Sequence, residues 1–178
     1  VDKISISTLE MVQPDIKMYI FEPLQKKKDK PFNNNIILEN LKITNANFKV
    51  LKGQNKIFSS ENMQVAVSEL VMNKATSNKK IPFTYKDLTV SGRKVESFSD
   101  HQNFKINNAK ITPTSVQLNN ILVEKNGDFN TKTSMNGSIK NLDIKINEWN
   151  FDDEKLKLEV ENVLINGLNG ELTLAKNN

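Results

Sequence analysis

The sequence predicts an all-β protein: an elongated, strongly curved antiparallel sheet, half-barrel or groove-like, built from short repeated hairpins. Three observations lead there. Apolar residues alternate with polar ones at period two, as they do on a half-buried strand. Turn signals separate the alternating runs. A short apolar spacing recurs along the chain, with a phase slip at the same place in each copy.

The alternating runs come in order. They include Ile16–Met18–Ile20, Phe48–Val50, Met63–Val65–Val67, Phe104–Ile106, Leu142–Ile144–Ile146 and Leu156–Leu158–Val160. Ile and Val predominate in them, residues that suit a pleated surface. Residues 60–73 carry apolar positions that alternate and then skip one, and are read as strand rather than helix. Turns are expected at Lys52-Gly53-Gln54-Asn55, at Lys125-Asn126-Gly127-Asp128, over 150–154 and at Asn166-Gly167. Residues 22–35, with two prolines, several lysines and three consecutive asparagines, read as a surface loop; 73–80 read as a shorter one.

The recurring spacing is h-x-x-h-x-h, where h is apolar. It fits Ile6–Leu9–Met11, Leu38–Leu41–Ile43, Val67–Leu70–Met72, Tyr85–Leu88–Val90 and, weakly, Ile106–Ala109–Ile111. It returns at Leu118–Ile121–Val123, Ile139–Leu142–Ile144 and Val160–Val163–Ile165. Several copies extend to two further apolar positions after four residues, among them Val12-Gln13-Pro14-Asp15 and Thr44-Asn45-Ala46-Asn47. A spacing of three swaps the buried face of a strand unless the backbone bulges there. Bulges at matched positions add twist and curl a sheet. The result expected is one continuous apolar, concave face.

Composition narrows the function. The chain has 178 residues, 37% hydrophobic and 26% charged, with one His and no Cys. Disulfide frameworks and cysteine chemistry are excluded, and no stretch approaches the roughly 20 apolar residues of a membrane helix. Net charge is +4, both signs are dispersed, and Arg93 is the sole arginine. Nucleic-acid binding is therefore not expected. His101 beside Asp100, with Ser97 and Ser99 near, reads as loop rather than a catalytic set. Asp152-Asp153-Glu154 reads as a hairpin turn rather than a calcium loop. No enzyme, metal or cofactor is expected.

The string from Ile6 to Ile20, echoed from Ile37 to Val50, resembles the repeated segments of AsmA-like proteins of the bacterial envelope, and the Asn- and Lys-rich style resembles members from Bacteroidetes. The resemblance implies a β-rich body in the periplasm, anchored in the inner membrane by an N-terminal helix outside this sequence. It implies kinship with bridge-like lipid transfer proteins, whose curved sheet offers a greasy groove to acyl chains. On this reading the chain is one β-rich domain over 1–178, part of a longer envelope protein. Its partner is a phospholipid or another acyl-chain lipid. The candidate groove residues are Leu41, Ile43, Phe48, Val50, Ile106, Ile111, Val116, Leu118, Leu142, Ile144, Trp149 and Phe151. Lys26, Lys27, Lys28 and Lys30 are candidates for headgroup contact. Two alternatives stand beside it: an apolar face closed by a second sheet, with Trp149 and Phe151 as core aromatics, and an adhesin or β-helix-like scaffold stiffened by asparagine ladders.

Overall fold

The structure, a computed structural model, describes residues 3–20, 33–77, 82–126, 134–152 and 155–174, without side chains for 150–152 and 155–156. Strand makes up 85% of the described residues, and none is helical. Nine strands form one open sheet: β1 (Lys3–Val12), β2 (Asp15–Ile20), β3 (Asn35–Lys52), β4 (Asn55–Met72), β5 (Asp87–Phe98), β6 (Gln102–Thr112), β7 (Ser115–Lys125), β8 (Ser134–Asp152) and β9 (Lys155–Thr173). From β3 to β9 each strand lies antiparallel to the next in sequence.

One edge departs from the antiparallel expectation. β1 and β2 both run parallel to β3, making the sheet mixed. The reason lies in the repeat. Ile6 pairs with Leu38, Leu9 with Leu41, Met11 with Ile43, Ile16 with Phe48 and Met18 with Val50. Two copies of one spacing match position for position, kinks included, only when they run the same way. β1 and β2 act as one broken strand beside β3. At the break the Gln13 amide donates to the Thr44 carbonyl at 2.8 Å, and Asn47 donates to the Pro14 carbonyl at 2.9 Å. Antiparallel order from β3 onward also departs from the parallel coils of a β-helix.

Left-handed residues mark the phase slips, and the register itself shifts at Asn45 and Asn62. Gln13, Asn45, Asn62, Lys94, Asn120 and Gly167 have φ of 53°, 54°, 49°, 45°, 50° and 65°. Each immediately precedes a residue that returns to the apolar face. Lys94, Asn120 and Gly167 fall on one transverse line, along which pairing runs one to one without a register shift. The flanking pairs set Lys94 opposite Asn107, Asn107 opposite Asn120, Asn120 opposite Lys140, and Lys140 opposite Gly167. One residue of each opposed pair is left-handed and the other is not. Asparagine tolerates this conformation and β-branched residues do not. Asn120→Val, although valine is the better strand former, is therefore expected to cost about 1–2 kcal/mol. Asn120→Gly is expected to stay within about 0.5 kcal/mol of the parent. Urea midpoints of the two variants check this.

Asn166-Gly167, expected as a turn, lies inside β9, where Gly167 has a positive φ and the pairing with β8 runs on unbroken. Lys52-Gly53-Gln54-Asn55 is a two-residue hairpin as expected, with Lys52 paired to Asn55. The strand reading of 60–73 holds, β4 ending at Met72. The loop expected over 22–35 lies outside the described residues up to 32, and Asn35 already belongs to β3.

No second layer covers the sheet among the described residues, where the extensive element contacts are those between hydrogen-bonded neighbours. The exposed surface is 13215 Å². A compact monomer of this mass would expose roughly 8,800 Å². Apolar residues low in exposure are few: Leu38, Ala46, Val67, Ile121, Val123 and Ile146.

Candidate functional site

Paired residues of adjacent strands share a face. Following the register across the sheet therefore assembles its surface from the sequence. Met11 pairs with Ile43, Ile43 with Val65, Val65 with Val90, and Val90 with Ile111. Ile111 pairs with Val116, Val116 with Ile144, and Ile144 with Val163. The outcome is a row of apolar side chains, one from each of eight strands, unbroken from edge to edge. At the usual strand separation it is about 34 Å long.

Parallel rows flank it. Leu9, Leu41, Val67 and Leu88 form one, and Ala109, Leu118, Leu142 and Ile165 another. Beyond that line of left-handed residues lie Val95, Ile106, Ile121, Ile139 and Leu168. Phe48 and Phe58 meet edge to face there, their centroids 6.0 Å apart. Of the residues expected in a groove, Leu41, Ile43, Ile111, Val116, Leu118, Leu142 and Ile144 lie in the central and flanking rows, Ile106 in the row beyond the line, Phe48 and Val50 beside Ile16 and Met18 past the break, and half-buried Trp149 opposite Leu158. Phe151 pairs with Leu156 in the backbone ladder, but its side chain is outside the described set. Lys26, Lys27, Lys28 and Lys30 lie outside the described residues.

The opposite face is polar. Among the described residues six ion pairs lace it: Lys42–Glu10, Lys56–Glu96, Lys86–Glu69, Lys94–Glu61, Lys105–Glu124 and Lys157–Glu148, all between 2.7 and 3.0 Å. Such exposed pairs contribute little each; their effect is to keep this side wet. Asn108, Asn119, Asn141 and Asn166 form a ladder across four strands, with Asn119 Nδ2 donating to Asn141 Oδ1 at 2.9 Å. Sequence reasoning missed two hollows here. One, of about 520 Å³, is lined by Asn45, Asn62, Gln64, Ser91, Arg93 and Lys110 among others. The other, of about 530 Å³, includes Asp15, Lys49, Lys56, Glu61, Lys94 and Glu96. The bend residues Asn45 and Asn62 were the available signal for the first.

Glu96 accepts from Lys56 Nζ at 2.9 Å and from Ser59 Oγ at 3.2 Å. The Lys56 hydrogen bond, helped by the charges of Lys56 and Lys105 and by Ser59, holds its carboxyl below the ordinary glutamate value of 4.5 despite some desolvation. A lowered folded-state pKa stabilises the fold above the unfolded value, and that stability is lost as pH falls through the folded value. Glu96→Gln is therefore expected to flatten the acid limb of the stability profile below about pH 4.5. Urea unfolding of both proteins at pH 3 to 6 measures it.

His101 is half-buried in the β5–β6 turn, where the Asn126 amide donates to its carbonyl at 3.0 Å. No group of three potential metal-ligating side chains is found among the described residues. No family model, curated protein or solved structure matches the chain.

Proposed function

We propose that the chain is a non-enzymatic AsmA-like domain of the cell envelope whose apolar face shelters the acyl chains of a phospholipid or related lipid. Its setting is the periplasm, with tethering to the inner membrane. The observation that carries this reading is the eight-strand apolar row, continuous and, among the described residues, uncovered. Contiguous apolar surface on this scale exceeds what soluble monomers usually expose, and marks a binding surface. Each leaflet of a bilayer is about 15 Å of hydrocarbon, so a row of about 34 Å receives two acyl chains end to end.

Curvature completes the proposal. The line of left-handed residues bends the ribbon toward its apolar side, making that face the inner wall of a groove. Low exposure at Leu38, Val67, Ile121, Val123 and Ile146, with no layer above them among the described residues, supports such a bend. Headgroups face water at the margins of the sheet. Transport follows without chemistry: chains slide along a surface that offers similar apolar contact at every strand.

Incubation with vesicles of phosphatidylethanolamine and phosphatidylglycerol, followed by native mass spectrometry of the recovered protein, tests the reading. Mass additions of intact phospholipid are expected. Protein recovered with no lipid attached contradicts it.

A further inference from the structure

We infer that β9 is a self-complementary edge, and that two copies of the chain join there antiparallel about a two-fold axis at Leu164. β9 is the last strand in the sheet order, 19 residues long, with its outer edge unpaired among the described residues. It carries no proline, and its apolar residues are 40–61% exposed from Val160 to Leu172. A long apolar edge of this kind recruits another strand.

The sequence of β9 specifies which strand. Read outward from Leu164 in both directions, its pattern is palindromic at most positions, Leu158 against Gly170 and Glu161 against Gly167 being the exceptions. Val163 answers Ile165, Asn162 answers Asn166, Val160 answers Leu168, and Lys157 answers Glu171. The phase slip between Val160 and Val163 falls opposite the one between Ile165 and Leu168. An antiparallel second copy therefore aligns kink with kink and keeps the apolar face continuous. It also obeys the rule of the left-handed line: left-handed Gly167 meets Glu161 of the second copy, which is not left-handed. The asparagine ladder likewise runs on from Asn166 to Asn162 of the second copy. Lys157 and Glu171 form two opposite-charge pairs, one at each end.

Leu164 itself is the independent sign. It pairs with Asp143 in a polar row with Gln117, Lys110 and Ser91, yet is 56% exposed. On the two-fold it packs against its own copy and leaves water. The interface is isologous, so it closes at two copies and does not extend into fibres. It stands whatever the apolar face carries.

The chain has no cysteine, so introduced ones report cleanly. Leu164→Cys is expected to give a disulfide-linked dimer on mild oxidation. Lys157→Cys and Glu171→Cys are each expected to give little covalent dimer alone and to cross-link to one another when mixed, with a several-fold excess of the mixed species. Leu164→Lys is expected to convert the dimer to monomer in sedimentation velocity, with an unchanged circular dichroism spectrum. A monomeric parent chain, or Leu164→Cys that fails to cross-link while folded, overturns the inference. Equal cross-linking of Lys157→Cys alone overturns this register. An edge covered by a further strand of the same polypeptide gives no cross-link in any arm, and also overturns it.

Discussion

Replacing Ile111 by glutamate is expected to remove acyl-chain binding while leaving the sheet folded. Ile111 lies mid-row, between Val90 and Val116 on the neighbouring strands. It is half-buried, so the side chain gains its shelter from apolar neighbours and not from a closed core. The change costs the free protein about 1–2 kcal/mol, within the usual range for such a site. For the loaded protein the effect is larger. A carboxylate under an acyl chain must lose water without gaining a partner, which costs several kcal/mol. At about 1.4 kcal/mol for each factor of ten, lipid binding falls at least tenfold. Lys110→Glu is the matched control, because Lys110 lies on the opposite face between Ser91 and Gln117. Native mass spectra after vesicle incubation are expected to show bare Ile111→Glu protein and loaded Lys110→Glu protein. Equal loading of the two contradicts the assignment of faces.

Gly137→Val is expected to have the largest effect on stability. Gly137 and Gly170 face each other across β8 and β9. A Cβ on Gly137 would stand 2.5 Å from the Asn169 carbonyl oxygen and 2.8 Å from the Gly170 Cα. One on Gly170 would stand 2.7 Å from the Asn136 carbonyl oxygen. These are backbone atoms of ladder partners, so no rotamer change relieves the clash. The strands must separate, with an expected loss of about 3 kcal/mol, the upper end for overpacking. Hydrogen exchange is expected to quicken along β9, while the β3–β4 amides keep their protection. A parent-like urea midpoint contradicts the close approach.

The all-β class and the apolar face were legible because alternation is a local property. Ile43, Ile111, Val116 and Ile144 share a face in the sequence pattern and share a row in the sheet. The phase slips were legible as well, since h-x-x-h breaks strict alternation. Local pattern does not decide what a bend is used for. Thr112-Pro113-Thr114-Ser115 and Thr44-Asn45-Ala46-Asn47 occupy equivalent places in the repeat. The first joins β6 to β7 as a turn, and the second is a bulge within β3. Asn166-Gly167 has the signature of a hairpin turn, yet Asn141 and Ile139 of β8 pair on either side of Gly167 and carry the strand through. Long-range partners made these choices. The parallel edge was hidden for the same reason: two copies of a repeat in one chain do not announce that they pair with each other. The polar hollows arise from side chains of four or more strands, which no window of sequence brings together.

Photolabelling with a phospholipid that carries a diazirine on its acyl chain tests the central claim most directly. Adducts mapped by peptide mass spectrometry are expected along the apolar rows, at Ile43, Val65, Val90, Ile111, Val116 and Ile144, and absent from Gln64, Ser91, Lys110 and Gln117 one residue away on the other side. Labelling of those polar residues instead, or of neither face, contradicts the account.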